Sequence, residues 1–285
     1  MLNLPELKRR ITSVKQTRQI TGAMETISVS KMRKSIEACD SAKAYIDGLS
    51  DILSSVLVSQ DDALKEYIAP PENGLDAVIV ISSDRGLCGA FNHDLIKAAQ
   101  VSVNDNSFVI PIGQTADKHF TQSDNIDTSF VELSSSCDMT EISRLTDMLL
   151  SIYGSKIKSV SLVYGKLVTK AVTTVVTKRL LPLEISDNGE ALKKIEFDPS
   201  PMAVLDGLLP LYIGGMIYGA LLDSAAAEHS ARRAAMSAST KNADAMIEAL
   251  SLEYSRARQS TVTSQITEII GSRQAQAQTK KGDRR

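Results

Sequence analysis

From Leu4 to about Val58, apolar residues recur at alternating spacings of three and four. They are Leu4, Leu7, Ile11, Val14, then Ile20, Met24, Ile27, then Met32, Ile36, Cys39 and, past Lys43, Ile46, Leu53 and Leu57. That period lines them along one face of a helix. No second proline interrupts the stretch, Pro5 suits a first turn, and Glu6 complements the positive end of the helix dipole. A single helix of this span is roughly 80 Å long, longer than a compact domain of this mass is wide, so it must project. Read by hydrophobicity, the seam slips twice, as in a loosely wound coil.

The C-terminal stretch answers it. Met236, Thr240, Ala243, Ile247, Leu250, Tyr254 and Ala257 again alternate three and four, with small residues that let two helices approach closely. An amphipathic helix can also cover its own globular core. Neither helix has enough chain near it for that except the other, which predicts an antiparallel coiled coil of the two chain ends. Between them, "LDAVIVISSD", "SFVIPIG", "TSFVEL", "KSVSLVYGKL" and "KAVTTVVTKRLLPLEI" read as strands, separated by helical stretches such as "HDLIKAAQVSV" and "MTEISRLTDMLLSIYGSKI". Strands alternating with helices predict a mostly parallel, Rossmann-like sheet. The expected division is residues 1–60 as the N-terminal helix, 61–200 as an inserted α/β domain, and 201–285 as a foot segment followed by the C-terminal helix.

Composition narrows the function. With 285 residues, 43% of them hydrophobic, the chain can fill a real core, and a net charge of −2 gives it no overall case for wrapping nucleic acid or lying on anionic lipid. Aromatics are 4% and tryptophan is absent, which fits the helical bias of both ends. Three widely spaced cysteines (Cys39, Cys88, Cys137) suit a reducing compartment and form neither a disulfide framework nor a zinc cluster. No secretory signal or transit peptide is visible at the N-terminus. "GLLPLYIGGMIYGALL" is uncharged, but at about 16 residues, bounded by Asp206 and Asp223, it falls short of the roughly 20 that a bilayer core requires.

The stretch that most resembles a reaction site is "SSDRGLCGAFN", Ser82 to Asn92. Two readings of Cys88 stay open on the residues. As a nucleophile it needs a base held by a third group, and of His93, His119 and His229 only His93 is near in sequence. As a structural residue it is a small buried hydrophobe in a strand-to-helix turn that Gly86 and Gly89 permit and that Asp84 and Arg85 tie by hydrogen bonds. The turn lacks both common phosphate-binding glycine patterns. The basic residues of the first helix (Lys8, Arg9, Arg10, Lys15, Arg18, Lys31, Arg33, Lys34) are equally open: a solvated face, or a face toward acidic partners.

Three motifs in order, "RRITSVKQTRQITGAMETISVSKMRKS", "SSDRGLCGAFN" and "EYSRARQSTVTSQITEII", make the chain similar to the γ subunit of F-type ATP synthase over essentially its whole length. The resemblance implies a central rotating shaft of a bacterial-type complex, with no catalytic residue, cofactor or metal of its own. Its partners would be the α3β3 hexamer, the ε subunit and the membrane c-ring, at the cytoplasmic face of the cell membrane. Residue by residue, Arg258, Gln259 and Thr263 match the family's contacts to the β catch loop, and Met24 matches a shaft position beside an acidic β loop. Phe197, Asp198 and Pro199 in "EFDPSP" match the foot beside the ring. Gln265 stands where the family usually has Glu, and Ser272 and Arg273 replace Gly-Ala. Pro210 with Gly214, Gly215 and Gly219 departs from a smooth helix and predicts a kinked or flexible foot. Two other classes remain open on the residues alone: a Rossmann-like enzyme using Cys88, and a free coiled-coil adaptor.

Overall fold

The computed structural model describes residues 3–58, 65–69, 71, 73–123, 125–169, 172–183, 198 and 200–282. They divide into two compact units, Met1–Glu25 with Met236–Arg285, and Thr26–Ala235. Two long helices take part in both: α1, Leu4–Val58, and the last helix, Pro201–Gly282.

In the first unit the two helices run antiparallel. Arg18 Nε lies 2.6 Å from Asp244 Oδ1, and the hydroxyls of Thr21 and Thr240 are 2.8 Å apart. The C-terminal seam lies where the sequence places it: Met236 and Ala243 are buried, and Thr240, Ile247, Leu250, Tyr254 and Ala257 are half-buried. The N-terminal seam does so only in part. It runs through Leu4, Leu7, Ile11, Val14, Arg18, Thr21 and Glu25, an unbroken alternation of three and four whose members, Arg18 excepted, are buried or half-buried. The same alternation continues in the second unit through Ser28, Met32, Ser35, Cys39, Ala42, Ile46, Leu49, Leu53 and Val56. The expected slips are absent. Hydropathy alone misplaced the register because Thr21 faces inward and pairs through its hydroxyl, while Ile20 and Ile27 face outward at 60% and 56% exposure.

The second unit is built on a four-stranded sheet. Its strands are β1 (Leu75–Ile81), β2 (Ser107–Ile112), β3 (Ile157–Thr169) and β4 (Val172–Leu181), in the order β2-β1-β3-β4. β1 pairs in parallel with β2 and β3, and β4 closes one edge antiparallel to β3, so the sheet is mostly parallel. Strand side chains alternate between faces, and β1 divides accordingly. Ala77, Ile79 and Ile81 join one core with Leu145, Leu149, Ile213 and Ile217, whereas Val78 and Val80 join another with Phe91, Leu95 and Ala99. Both faces are therefore covered, which accounts for the unbroken apolar run.

Besides α1 and a short α2 (Lys65–Ile68), the helices are α3 (Phe91–Ser102), α4 (Gln114–Phe120), α5 (Leu133–Ser136), α6 (Met139–Ile152) and α7, the last helix. The α6 helix starts where Asp138 accepts the Thr140 amide at 2.9 Å, a side-chain cap. "TSFVEL" is not a strand. Asp127 Oδ1 accepts the Ser129 amide at 2.9 Å and turns the chain, and Phe130 and Leu133 bury as a turn and the start of α5.

At the foot α7 is not broken and stays helical through Pro210. The carbonyl that Pro210 cannot serve belongs to Asp206, on an exposed turn where water can take it. The glycines provide proximity. A Cβ on Gly219 would stand 2.8 Å from Ile46 Cδ1 and one on Gly215 3.4 Å from Leu49 Cδ1, so their absence lets α1 approach. An apolar stretch of α7 passes the length and hydropathy test for a membrane span, yet 56% of that window is buried, and Leu208, Leu209, Ile213, Ile217 and Leu221 belong to the core.

Candidate functional site

The loop between β1 and α3 is folded by its own side chains. Ser82 donates its hydroxyl to the Ile112 carbonyl at 3.1 Å and accepts the Ala116 amide at 2.8 Å. The Ser83 amide donates to Asn92 Oδ1 at 3.2 Å, and Asp84 Oδ1 accepts from the Gln114 amide and the Ser134 hydroxyl at 3.2 and 2.7 Å. The sharp reversal lies at Leu87 and Gly89, with φ of +63° and +61°. Gly86 does not have a positive φ, so the turn makes no use of its freedom there.

Cys88 is 2% exposed and packs with Val78, Phe91 and Leu95. Asn92 Nδ2 lies 3.3 Å from its sulfur. His93 points into solvent, His119 bonds Gln100, and His229 bonds Arg232, so no histidine reaches the thiol. Nucleophilic activation requires such a base, and Cys88 here is a small buried hydrophobe. Neither of the other thiols is poised: burial, then Asp223, pushes Cys39 up to about 12, and burial raises Cys137.

Arg85 ties the turn through its carbonyl, which accepts from the Ser83 hydroxyl at 2.8 Å and from a group far along the chain. Arg232 of α7, 8% exposed, donates from Nη2 to the carbonyls of Arg85 and Gly86 at 3.1 and 3.4 Å. Its Nη1 lies 2.5 Å from Glu228 Oε1 and 3.2 Å from His229 Nδ1. Burial raises the Glu228 carboxyl against the pull of Arg232, and burial, with Arg232 and Lys31, lowers His229 to about 4. The imidazole is therefore neutral and can accept from the guanidinium. Sequence reasoning missed this cluster, although stepping back from Met236 by four and three along the seam lands on Arg232 and His229.

The residues singled out as partner contacts fall in separate places. Arg258, Gln259 and Thr263 are exposed on α7, just past Ala257, the last half-buried seam residue. Thr263 donates its hydroxyl to the Gln259 main-chain carbonyl at 2.9 Å. Beyond them Val262, Ile266, Ile269 and Ile270 are 47–61% exposed. Met24 is half-buried on α1. With Thr21 facing Thr240, it lies opposite α7 about 20 residues before Arg258, a separation of roughly 30 Å. Asp198 is exposed and belongs to the second unit, while Phe197 and Pro199 lie outside the described residues.

A groove of about 660 Å³ in the second unit is lined by Asp117, Glu132, Asp138, Glu141 and Arg144. The guanidinium already pairs with Glu141 at 3.1 Å and sits 5.1 Å above the Phe130 ring. Four carboxylates with one engaged cation suit a phosphate group poorly. Among the described residues no three His, Cys, Asp or Glu side chains converge on a metal position.

A family model described as ATP synthase matches residues 3–275. The chain is 38% identical to the ATP synthase gamma chain of Pelotomaculum thermopropionicum, over 95% of its own length and 98% of that protein's. It is 33% identical to that of Alkaliphilus metalliredigens, over 96% and 99%. Among solved structures, a chain of the Euglena gracilis mitochondrial ATP synthase (OSCP/F1/c-ring) superposes with a TM-score of 0.67 at 15% identity, covering 95% of this chain and 94% of that one. A chain of the rotor of the same enzyme gives 0.63 at 14%, covering 91% and 98%.

Proposed function

The chain belongs to the family of ATP synthase gamma chains, and from that premise we propose that it is the central rotating shaft of a bacterial F1Fo ATP synthase. The observation that carries this reading is the end of α7. Past Ala257 the helix continues without a partner among the described residues, exposed to residue 273, with Arg258 and Gln259 followed by Val262, Ile266, Ile269 and Ile270. A lone helix with that much exposed apolar surface calls for a surrounding protein. An α3β3 sleeve provides one.

In this reading the chain catalyses nothing itself. Ion flow turns a membrane c-ring, the ring and the ε subunit carry the foot around Asp198, and the shaft turns inside the sleeve at the cytoplasmic face of the membrane. The two helices are unlike each other, so each orientation presents different side chains to the three β subunits. Met24 faces an acidic β loop, and Arg258, Gln259 and Thr263 engage the β catch loop. A nucleotide site can change its affinity only by the difference in contact energy between orientations, and that difference couples rotation to ATP.

Affinity purification of the tagged chain from its native cell tests the assignment. Co-isolation of α, β, ε and c subunits is the expected result. Recovery of a homodimer alone overturns it.

A further inference from the structure

Arg232 spends its whole planar fork inside the protein. One nitrogen meets Glu228 Oε1 at 2.5 Å and His229 Nδ1 at 3.2 Å; the other meets two successive main-chain carbonyls, Arg85 and Gly86, at 3.1 and 3.4 Å. Those carbonyls open the exposed tip of the β1–α3 loop. Leu87 stands there 63% exposed, at a left-handed φ that a branched side chain adopts only at a cost. Ser83 donates its hydroxyl to the Arg85 carbonyl at 2.8 Å from within the loop, and Arg232 is the group that also reaches the Gly86 carbonyl, one residue before the reversal.

We propose that Arg232 is a positioning residue that latches the Arg85–Leu87 tip onto α7, so that the tip moves with the long helix as one body. Glu228 orients the guanidinium, and the flat fork reaches both carbonyls at once. A lysine ammonium is a point donor on a flexible stem and can neutralise Glu228 without spanning the pair. The functional part of the proposal rests on the rotary reading: a tip fixed to the Glu228–Arg232 turn of α7 is carried with that turn, and a loose one lags behind it.

Hydrogen exchange on the full-length isolated chain tests the latch without requiring the complex. In Arg232→Gln the amides that close the tip, Phe91 onto the Cys88 carbonyl at 3.3 Å and Asp94 onto the Ala90 carbonyl at 2.9 Å, are expected to exchange at least tenfold faster, with those of β1 and β2 unchanged. Arg232→Lys separates latching from charge balance. It should bring thermal stability back toward wild type while leaving the tip amides fast. Restored tip protection in the lysine variant, or unchanged exchange in Arg232→Gln, overturns the latch. In the reconstituted complex the ions transported per ATP hydrolysed should fall several-fold in both variants. An unchanged ratio overturns the rotary role, and failure of the wild-type chain to assemble at all would count against the shaft reading while leaving the exchange result standing.

Discussion

His229 and Arg232 lie one helical turn apart on α7 and share a hydrogen bond that only a neutral imidazole can accept. With His229 held at about 4 when folded and near its ordinary 6.5 when unfolded, the unfolded chain takes up the proton first as pH falls. Stability should therefore drop between about pH 6.5 and 4 and level off below, by less than the ~3 kcal/mol of the full shift because solvent screens the half-buried ring. Glu228, raised by burial, binds its proton more readily when folded and works in the opposite direction. Urea melts of wild type and His229→Gln across this range isolate the histidine: the variant should lose that part of the slope. Cys88 gives the complementary case. It looks reactive beside Asp84, Arg85 and His93 in the sequence, but its neighbours are Asn92 and an apolar cluster. Cys88→Ala should cost on the order of 1 kcal/mol in melts and leave ATP turnover of the assembled complex within a few-fold of wild type.

Among the elements, the sequence shows period more reliably than register. The α7 seam could be read residue for residue because its inward positions are small or apolar, from Met236 to Ala257. The α1 seam was misread because Thr21 and Ser28 occupy inward positions and two isoleucines face out. A hydroxyl that pairs across a seam carries no hydropathy signal. The α7 glycines carried no packing signal either, although Gly215 and Gly219 let α1 approach closely. Two substitutions separate these uses of glycine. On Gly219 of α7 an added Cβ meets only the far end of Ile46, and helix propensity gains about 1 kcal/mol, so Gly219→Ala should be close to neutral. On Gly165 of β3 it runs into the ring of Phe91, which is buried and has no room to turn, so Gly165→Ala should cost about 1–3 kcal/mol. Thermal melts of the two variants side by side check the contrast.

For the molecule as a whole, the two-ended coiled coil was legible because it rests on long periodic segments, 55 and 82 residues in the two terminal helices, and the inserted sheet because its short apolar runs alternate with helical stretches. The Arg232 cluster was not, since it joins residues 147 positions apart and no local pattern announces such a pair. The proposed partner contacts lie at the other extreme. Among the described residues Arg258, Gln259 and Thr263 make no hydrogen bond outside their own helix, and the role proposed for them depends on a surface the chain does not contain. A reversible crosslink addresses them directly. If Gln259 faces the β catch loop, a cysteine in its place and one in the facing loop should form a disulfide under oxidation, since bridging needs Cα atoms within roughly 7 Å. The bond fixes the shaft against its sleeve. Multisite ATP hydrolysis should then collapse while the β subunits still bind nucleotide, and reduction should restore turnover because no catalytic group has changed. A static clamp predicts no such reversible loss. Hydrolysis continuing at the uncrosslinked rate, with the bridge verified on a gel, would mean that Gln259 does not sit at a moving interface, and the placing of Arg258 and Thr263 beside the catch loop would fall with it.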